Sequence, residues 1–336
     1  MRLADCPRCV KLLLELSMEC ESLARAEALA AAAALGGEAR ILHREPGVLI
    51  IETPAKPEKL AERFALCHYV SEWLGSGTAD TLDSVANDVD VEGPIRVRST
   101  KIGESAVDLA AVARRIGGVI GETRGVDLRH PATDIRVVFS KKVHIGRVLG
   151  TIDRSAFENR KNKNLPYVYP ASLHPKYARA LVNLTQVAPG GKLLDPFCGT
   201  GAIVAEAALM GLKAIGTDFS EKMIEGAKRN LKHLDVSAEL KVCDVGAIAD
   251  AVGHVNSIAT DPPYGRSTST AGEKIPDLYR RSFEAFSRIM RKGSVLAIVV
   301  PDIDLLEVAD GFKLVEKHSL WVHRSLTRHF CVLRRL

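Results

Sequence analysis

The 336-residue sequence predicts an α/β protein: a seven-stranded doubly wound sheet preceded by two smaller α+β units. Three observations predict this. From about residue 176, apolar strand-like runs alternate with helical stretches, the pattern of a parallel sheet. Those runs reach seven, and the last two adjoin as a hairpin, which puts one reversed strand at the sheet edge. Before residue 150, strands come in pairs flanked by single helices, as in α+β domains.

Residues 1–76 form the first unit. "KLLLELS" reads as a strand, and "ESLARAEALAAAAALGG" as a helix closed by Gly36-Gly37. "ARILHREPGVLIIETP" reads as two strands around a Pro46-Gly47 turn, "KPEKLAERFALC" as a helix and "HYVSEWLG" as a strand. One sheet with two helices in this order suggests a ferredoxin-like sandwich. Residues 77–150 form the second unit. There "TADTLDSVANDVD" is helical, "PIRVRSTKIG" a strand, "ESAVDLAAVARRIGGVIG" an amphipathic helix, and "DIRVVFSKKVHIGRVLGTI" two strands joined at Lys141-Lys142. Residues 151–175, polar and punctuated by proline, read as a linker.

Residues 176–336 form the third domain. "KYARALVNLTQVA" is a helix, "GKLLDPFCGTG" a strand with a glycine loop, and "AIVAEAALMG" a helix. Strand and helix alternate again through "LKAIGTDF", "SEKMIEGAKRNLKHLD", "AELKVCDV" and "VNSIATDPPYG". "IPDLYRRSFEAFSRIMRKG" is a helix, "SVLAIVVP" the fifth strand, and "FKLVEKHSLWVHRS" and "LTRHFCVLRRL" the closing pair. Trp73 and Trp321 are expected in cores.

Composition narrows the classes. A 46% apolar and 26% charged chain is that of a soluble globular protein, and its longest apolar runs are too short to span a membrane. Seven scattered cysteines fit a reducing cytoplasm better than a disulfide framework. The net charge of +5 is uneven: residues 91–180 carry 17 Lys/Arg against 8 Asp/Glu, whereas residues 1–90 carry 9 against 15. Such a basic middle fits either a polyanion partner or a solvated face.

"LLDPFCGTGAI" sets glycines between an apolar strand and a helix, where backbone can approach a ligand and helix N–H groups are unpaired. A plain tight turn has the same appearance. Asp218, 17 residues past Gly201, ends the next strand, where a carboxylate can accept both hydroxyls of a ribose. The competing reading is an acid favoured by the helix dipole, with Ser220 as the cap. Asp244 ends the third strand and suits an adenine amino group or an ordinary surface turn. Asp195, Asp218 and Asp244 converging on one carboxyl edge are better explained together by an adenosine ligand. "DPPYG" at Asp261–Gly265 ends the fourth strand in a corner with no proline N–H, leaving carboxylate and carbonyl acceptors free for an amine.

Taken in order, "DPFCGTG", "GTD", "CD" and "DPPYG" resemble the motif series of class I S-adenosylmethionine-dependent methyltransferases that act on exocyclic amines. "YPASLHPKYARALVNL" resembles the segment that covers the methionine end of the cofactor in that group. "GGVIGETRGVDLRHPATDIRVVFSKKVHIGRVLG" resembles a THUMP domain, an RNA-binding module. The whole order resembles the archaeal tRNA (guanine-10-N2)-dimethyltransferase family, and "ADCPRC" at the start departs from it.

The resemblance implies S-adenosylmethionine as cofactor, held by Ser172, Asp195, Phe197, Gly199, Gly201, Asp218, Phe219 and Asp244. It implies Asp261, Pro262, Pro263 and Tyr264 as the catalytic residues, with Tyr264 stacking on a flipped base. It implies tRNA as partner, with a small activating protein subunit or none. Lys101, Arg124, Arg129, Lys141 and Lys142 are the RNA-contact candidates in the basic middle. The loop "GRSTSTAGEK" has the composition of a lid or of an ordinary surface loop. Cys6 and Cys9 are half of a zinc spacing, but no matched pair follows and His43 looks isolated, so no metal is expected.

Overall fold

The computed structural model describes residues 9–103, 107–170, 172–265 and 272–336. Cys6 and most of the "GRSTSTAGEK" loop therefore lie outside the described residues. The chain divides into two units, residues 1–25, 35–62 and 67–152, and residues 26–34, 63–66 and 153–336. No helix among the described residues is long and apolar enough to cross a membrane.

The first unit carries β1 (Val10–Leu16), the start of α1 (Glu21–Ala34), β2 (Arg40–Glu45), β3 (Val48–Thr53), α2 (Pro57–Arg63) and β4 (Cys67–Gly77). It continues with α3 (Leu82–Asn87), β5 (Ile95–Lys101), α4 (Leu109–Arg124), β6 (Thr133–Phe139) and β7 (Val143–Thr151). Local chemistry sets these limits: the Asp108 carboxylate accepts from the Ala110 and Ala111 N–H groups to start α4, and Gly125 at φ +78° ends it.

The strands of the two expected α+β units lie in one seven-stranded sheet, ordered β2-β3-β1-β4-β7-β6-β5. They join along the antiparallel β4–β7 ladder, which is bulged at Val70/Ser71 and at Trp73/Gly75. Bulges bend a sheet, and here Leu13, Val48 and Ile50 pack with Val138 from the far side. Buried Glu15 and Arg136 meet across the same fold in a two-bond pair at 2.8 and 2.7 Å. Trp73 packs against this cluster.

The second unit holds α5 (Arg154–Asn159), α6 (Pro175–Leu184), β8 (Lys192–Asp195), α7 (Ala202–Leu209), β9 (Lys213–Asp218), α8 (Glu221–His233) and β10 (Glu239–Val242). Then follow α9 (Ile248–Val252), β11 (Ser257–Thr260), α10 (Ile275–Ile289), β12 (Val295–Val300), β13 (Phe312–His323) and β14 (Leu326–Arg335). The stretch expected as a linker is built into this unit. Arg160 and Arg179 grip the buried Glu206 carboxylate at 2.8 and 2.7 Å, and Asn230 of α8 bonds both the N–H and the carbonyl of Tyr167.

The sheet order is β10-β9-β8-β11-β12-β14-β13, with the first five strands parallel. All six residues of β12 are buried, as expected for a strand covered on both faces. α10 covers one face with Leu278, Tyr279, Phe283, Phe286 and Ile289, spaced as one side of a helix.

The reversed strand differs from expectation. β14 is antiparallel to both β12 and β13 and lies between them, so the edge strand is β13. A hairpin needs only antiparallel partners and does not say which strand reaches the sheet first. On the edge strand Trp321 is 71% exposed, so it does not enter a core.

Candidate active site

In an open α/β sheet the order reverses where chain excursions start in opposite directions, and ligands bind outside the carboxyl ends there. Here β8 is that point, flanked by β9 and β11. Asp195 and Asp218 are the last residues of β8 and β9, Asp261 follows β11 directly, and Asp244 lies just beyond β10. All four line one cavity of about 400 Å³. Four neighbouring strand ends thus supply four carboxyl groups to one space.

Their surroundings differ. Asp218 accepts from the N–H of Gly199 at 3.0 Å and of Ser220 at 2.9 Å, one on each oxygen. Those bonds fix the carboxylate plane and leave a second lone pair on each oxygen. Burial raises its pKa, and the two backbone donors oppose the rise. Asp195 is 1% exposed and accepts from the Thr260 hydroxyl at 2.7 Å and the Phe197 N–H at 3.2 Å. Burial lifts its pKa to about 7, and the neighbouring charges of Asp261 and Asp218 add to this.

Asp261 lies at the cavity wall with its pKa pushed up to about 6 by burial, against the pull of Arg328 and of a bond from Tyr264. The Tyr264 hydroxyl donates to Asp261 Oδ1 at 2.5 Å. Asp244 is held low despite partial burial, because Arg281 and the Gly246 N–H bond its Oδ1. Arg281 also grips Glu273 at 2.6 Å, which ties α10 to the residues just before it.

The glycine loop works by conformation. Gly199 (φ +50°) and Gly201 (φ +88°) adopt left-handed backbone that L side chains rarely take. That turn lets the Gly199 N–H face Asp218 while α7 starts at Ala202.

This constellation has relatives. A family model of the UPF0020 family, described as an RMKL-like methyltransferase domain, matches residues 163–329. The tRNA (guanine(10)-N2)-dimethyltransferase of Methanothermobacter thermautotrophicus is 35% identical over 97% of this chain and 100% of its own. The chain belongs to the tRNA (guanine(10)-N2)-dimethyltransferase family. The protein of the same name from Pyrococcus abyssi is 35% identical over 86% of this chain and 90% of its own. The crystal structure of TrmN from Thermus thermophilus superposes with a TM-score of 0.55 at 23% identity, covering 97% of this chain and 100% of that one, which shows the shared fold. As a member of the family the chain is a methyltransferase, with S-adenosylmethionine as methyl donor.

Not every residue expected in the site reaches the cavity. Ser172, Phe197, Gly199, Phe219 and Pro263 line it together with the four acids. Gly201, Pro262 and Tyr264 are not among its lining residues. A Cβ on Gly201 would lie 3.3 Å from that of Ala227, so this glycine serves the packing of α7 on α8. Tyr264 turns its hydroxyl onto Asp261, which puts it beside the catalytic candidate. Arg281 and Met223 also line the cavity, and sequence reasoning did not single them out; Tyr169 and Glu273 line it from the cofactor-covering segment and the lid-or-surface loop. Arg281 lies on the amphipathic helix α10 without any motif, so only its placement identifies it.

The RNA candidates divide. Lys101 pairs in register with Phe139, next to the turn that holds exposed Lys141 and Lys142. Arg124 and Arg129 lie at the other end of β5, where the Gly125 carbonyl accepts from Ile95. Seven strand residues separate the two groups by roughly 20 Å. Arg124 is also ion-paired with Asp90 at 2.6 Å.

Proposed function

We propose that the protein methylates the exocyclic N2 amine of a guanosine in tRNA, at position 10, giving N2-methyl- and N2,N2-dimethylguanosine. The observation that carries this reading is end-to-end similarity to a tRNA (guanine(10)-N2)-dimethyltransferase, joined to an Asp-Pro-Pro-Tyr corner whose Asp261 and Pro263 line the acid-lined cavity.

The cavity fits the cofactor. Its volume of about 400 Å³ is in the range of small-molecule sites. Asp218, with its plane fixed and two lone pairs left, would take the ribose hydroxyls. Phe219, 45% exposed at the cavity, and Val245 offer apolar surface for adenine, and Asp244 an acceptor for its amino group. The glycine bend at Gly199 and the Ser172–Thr200 hydroxyl pair, 2.9 Å apart, would flank the amino-acid end. Bound S-adenosylmethionine would supply an electrophilic methyl group on a sulfonium.

A guanine N2 lone pair is delocalised into the ring, so the amine is a weak nucleophile. The chain's part is to hold the amine in line and stabilise the positive charge that develops on it. Asp261 as carboxylate would accept one amine N–H, and the Pro262 carbonyl another. The Tyr264 hydroxyl takes one lone pair of Asp261 Oδ1, which leaves the second lone pair there and Oδ2 to accept from the amine. The Tyr264 ring would stack on the base while its hydroxyl steadies Asp261.

The first unit would supply the RNA contact, as the THUMP-like sequence implies. We place Lys101, Lys141 and Lys142 in one phosphate-contacting group and Arg124 and Arg129 in a second, and we place the protein in the cytoplasm. Purified full-length chain, unmodified tRNA transcript and labelled S-adenosylmethionine test the reading by nucleoside mapping. Label in N2-methylated guanosine at position 10 is expected; label only in another base or position overturns the specific part. Turnover without added protein would leave no requirement for an activating subunit.

A further inference from the structure

His43, isolated in the sequence, has company in the fold. It lies two residues from Glu45 on β2, and β7 brings His144 to the same carboxylate from 99 positions further along the chain. Glu45 Oε1 is 2.7 Å from His144 Nε2, and Glu45 Oε2 is 3.2 Å from His43 Nε2. One potential ligand atom from each of the three residues falls within 4.8 Å of the others. We propose that His43, Glu45 and His144 form a binding site for a divalent zinc-like ion, outside the methyl-transfer cavity.

The donor set is the first argument. Two borderline imidazoles and one harder carboxylate form a set that suits zinc, which accepts three protein ligands with water in the fourth place. The surroundings are the second. His144 and Glu45 side chains are 0% and 4% exposed, whereas that of His43 is 33% exposed. The site therefore has two buried ligands and one solvent-facing ligand, which provides an entry path and room for the water.

A supporting shell is the third argument. His144 Nδ1 is 2.6 Å from Ser76 Oγ, which also accepts from Trp73 Nε1 at 2.9 Å. Ser76 Oγ has two lone pairs, so it can accept from both rings. With Ser76 accepting, the His144 proton is on Nδ1 and Nε2 is free to bind a metal, the arrangement usual around imidazole ligands. The Lys142 N–H holds Glu45 Oε1 at 3.2 Å. A bound ion would thus fasten the Pro46-Gly47 turn to the Lys141-Lys142 turn, where the Ser140 hydroxyl already bonds the Pro46 carbonyl.

The competing account is a closed hydrogen-bonded triad, in which Ser76 donates to Nδ1 and both imidazoles donate to Glu45. Titration of metal-stripped, tag-free, full-length protein with Co²⁺, then displacement by Zn²⁺, separates the two. One equivalent of Co²⁺ with visible d–d bands and no thiolate charge-transfer band is expected. His43→Ala and Glu45→Gln should each weaken binding more than about tenfold, and Ser76→Ala by about 10–100-fold. Circular dichroism of the His43→Ala protein checks its fold, and this edge-strand position is the one of the three that tolerates truncation best. Cys6→Ser/Cys9→Ser should bind as the parent does. No uptake overturns the proposal; so does uptake that shows a thiolate band, or that survives in both His43→Ala and Glu45→Gln.

Discussion

Asp261 and Asp195 share a sheet edge, and their protonation sets two separate expectations. Asp261 accepts from an amine only as carboxylate, and its pKa is about 6. The efficiency of methyl transfer should therefore fall as pH drops through about 6, measured as kcat/KM against pH. Tyr264→Phe removes a bond that favours the charged form, so its profile should shift to higher pH while the ring is kept. Asp261→Ala should lower kcat by about 100-fold or more and leave cofactor affinity, read by calorimetry, near that of the parent. Undiminished turnover would reject the assignment. For Asp195 the sign concerns stability. Its folded pKa is about 7 against an ordinary 3.8, so between these values the folded chain holds more protons than the unfolded chain. Stability therefore falls as pH rises through that window, and Asp195→Asn should flatten the slope in denaturant melts.

The elements around the cavity depend on backbone that comes close. Gly226 lies on α8 beneath Tyr167, and a Cβ there would run into the tyrosine ring. Asn230, one turn further along α8, bonds both backbone groups of Tyr167 and the Thr200 carbonyl. Tyr167 is thus laid on α8, close in the chain to Tyr169 and Ser172, which line the cavity. Gly226→Ala should overpack this seam, cost about 1–3 kcal/mol in stability and weaken cofactor binding. A melt and a cofactor titration check both. An unchanged affinity would mean that the segment does not shape the site. The hairpin of β13 and β14 makes a related point: β14 takes the inner position because its Phe330, Cys331, Val332 and Leu333 are the buried set, whereas β13 is mostly exposed.

At the scale of the molecule, the first unit's sheet is bent at β4, and the Glu15–Arg136 pair sits inside the bend with its guanidinium 4.1 Å from the centroid of the Tyr69 ring. Removing one member of a buried pair leaves the other charge uncompensated, so Arg136→Ala should cost about 3–5 kcal/mol. Chemical denaturation monitored by fluorescence would measure it. The basic residues divide between the two ends of β5, which allows them to be tested as groups. Lys141→Ala/Lys142→Ala should weaken tRNA binding and lower the salt slope by about one for each phosphate no longer engaged. Arg124→Ala should do less, because Asp90 already partners that guanidinium. Equal effects from both groups would place RNA along the whole strand.

The sequence by itself determined the alternation of strands and helices, the acids at the ends of β8, β9, β10 and β11, and the proline corner after β11. These are local patterns: apolar period, a glycine between strand and helix, an acid where a strand stops. Strand order came only with the tertiary structure, because hydrogen-bonding partners are chosen by packing and not by neighbours in the chain. So the sequence could not join the first two sheets along β4–β7, move β14 inside β13, or turn the linker into a buttress. The same reason hid Arg281, whose role comes from meeting Asp244 and Glu273 across loops. It also hid His43, which finds its partner His144 only after the first sheet has bent.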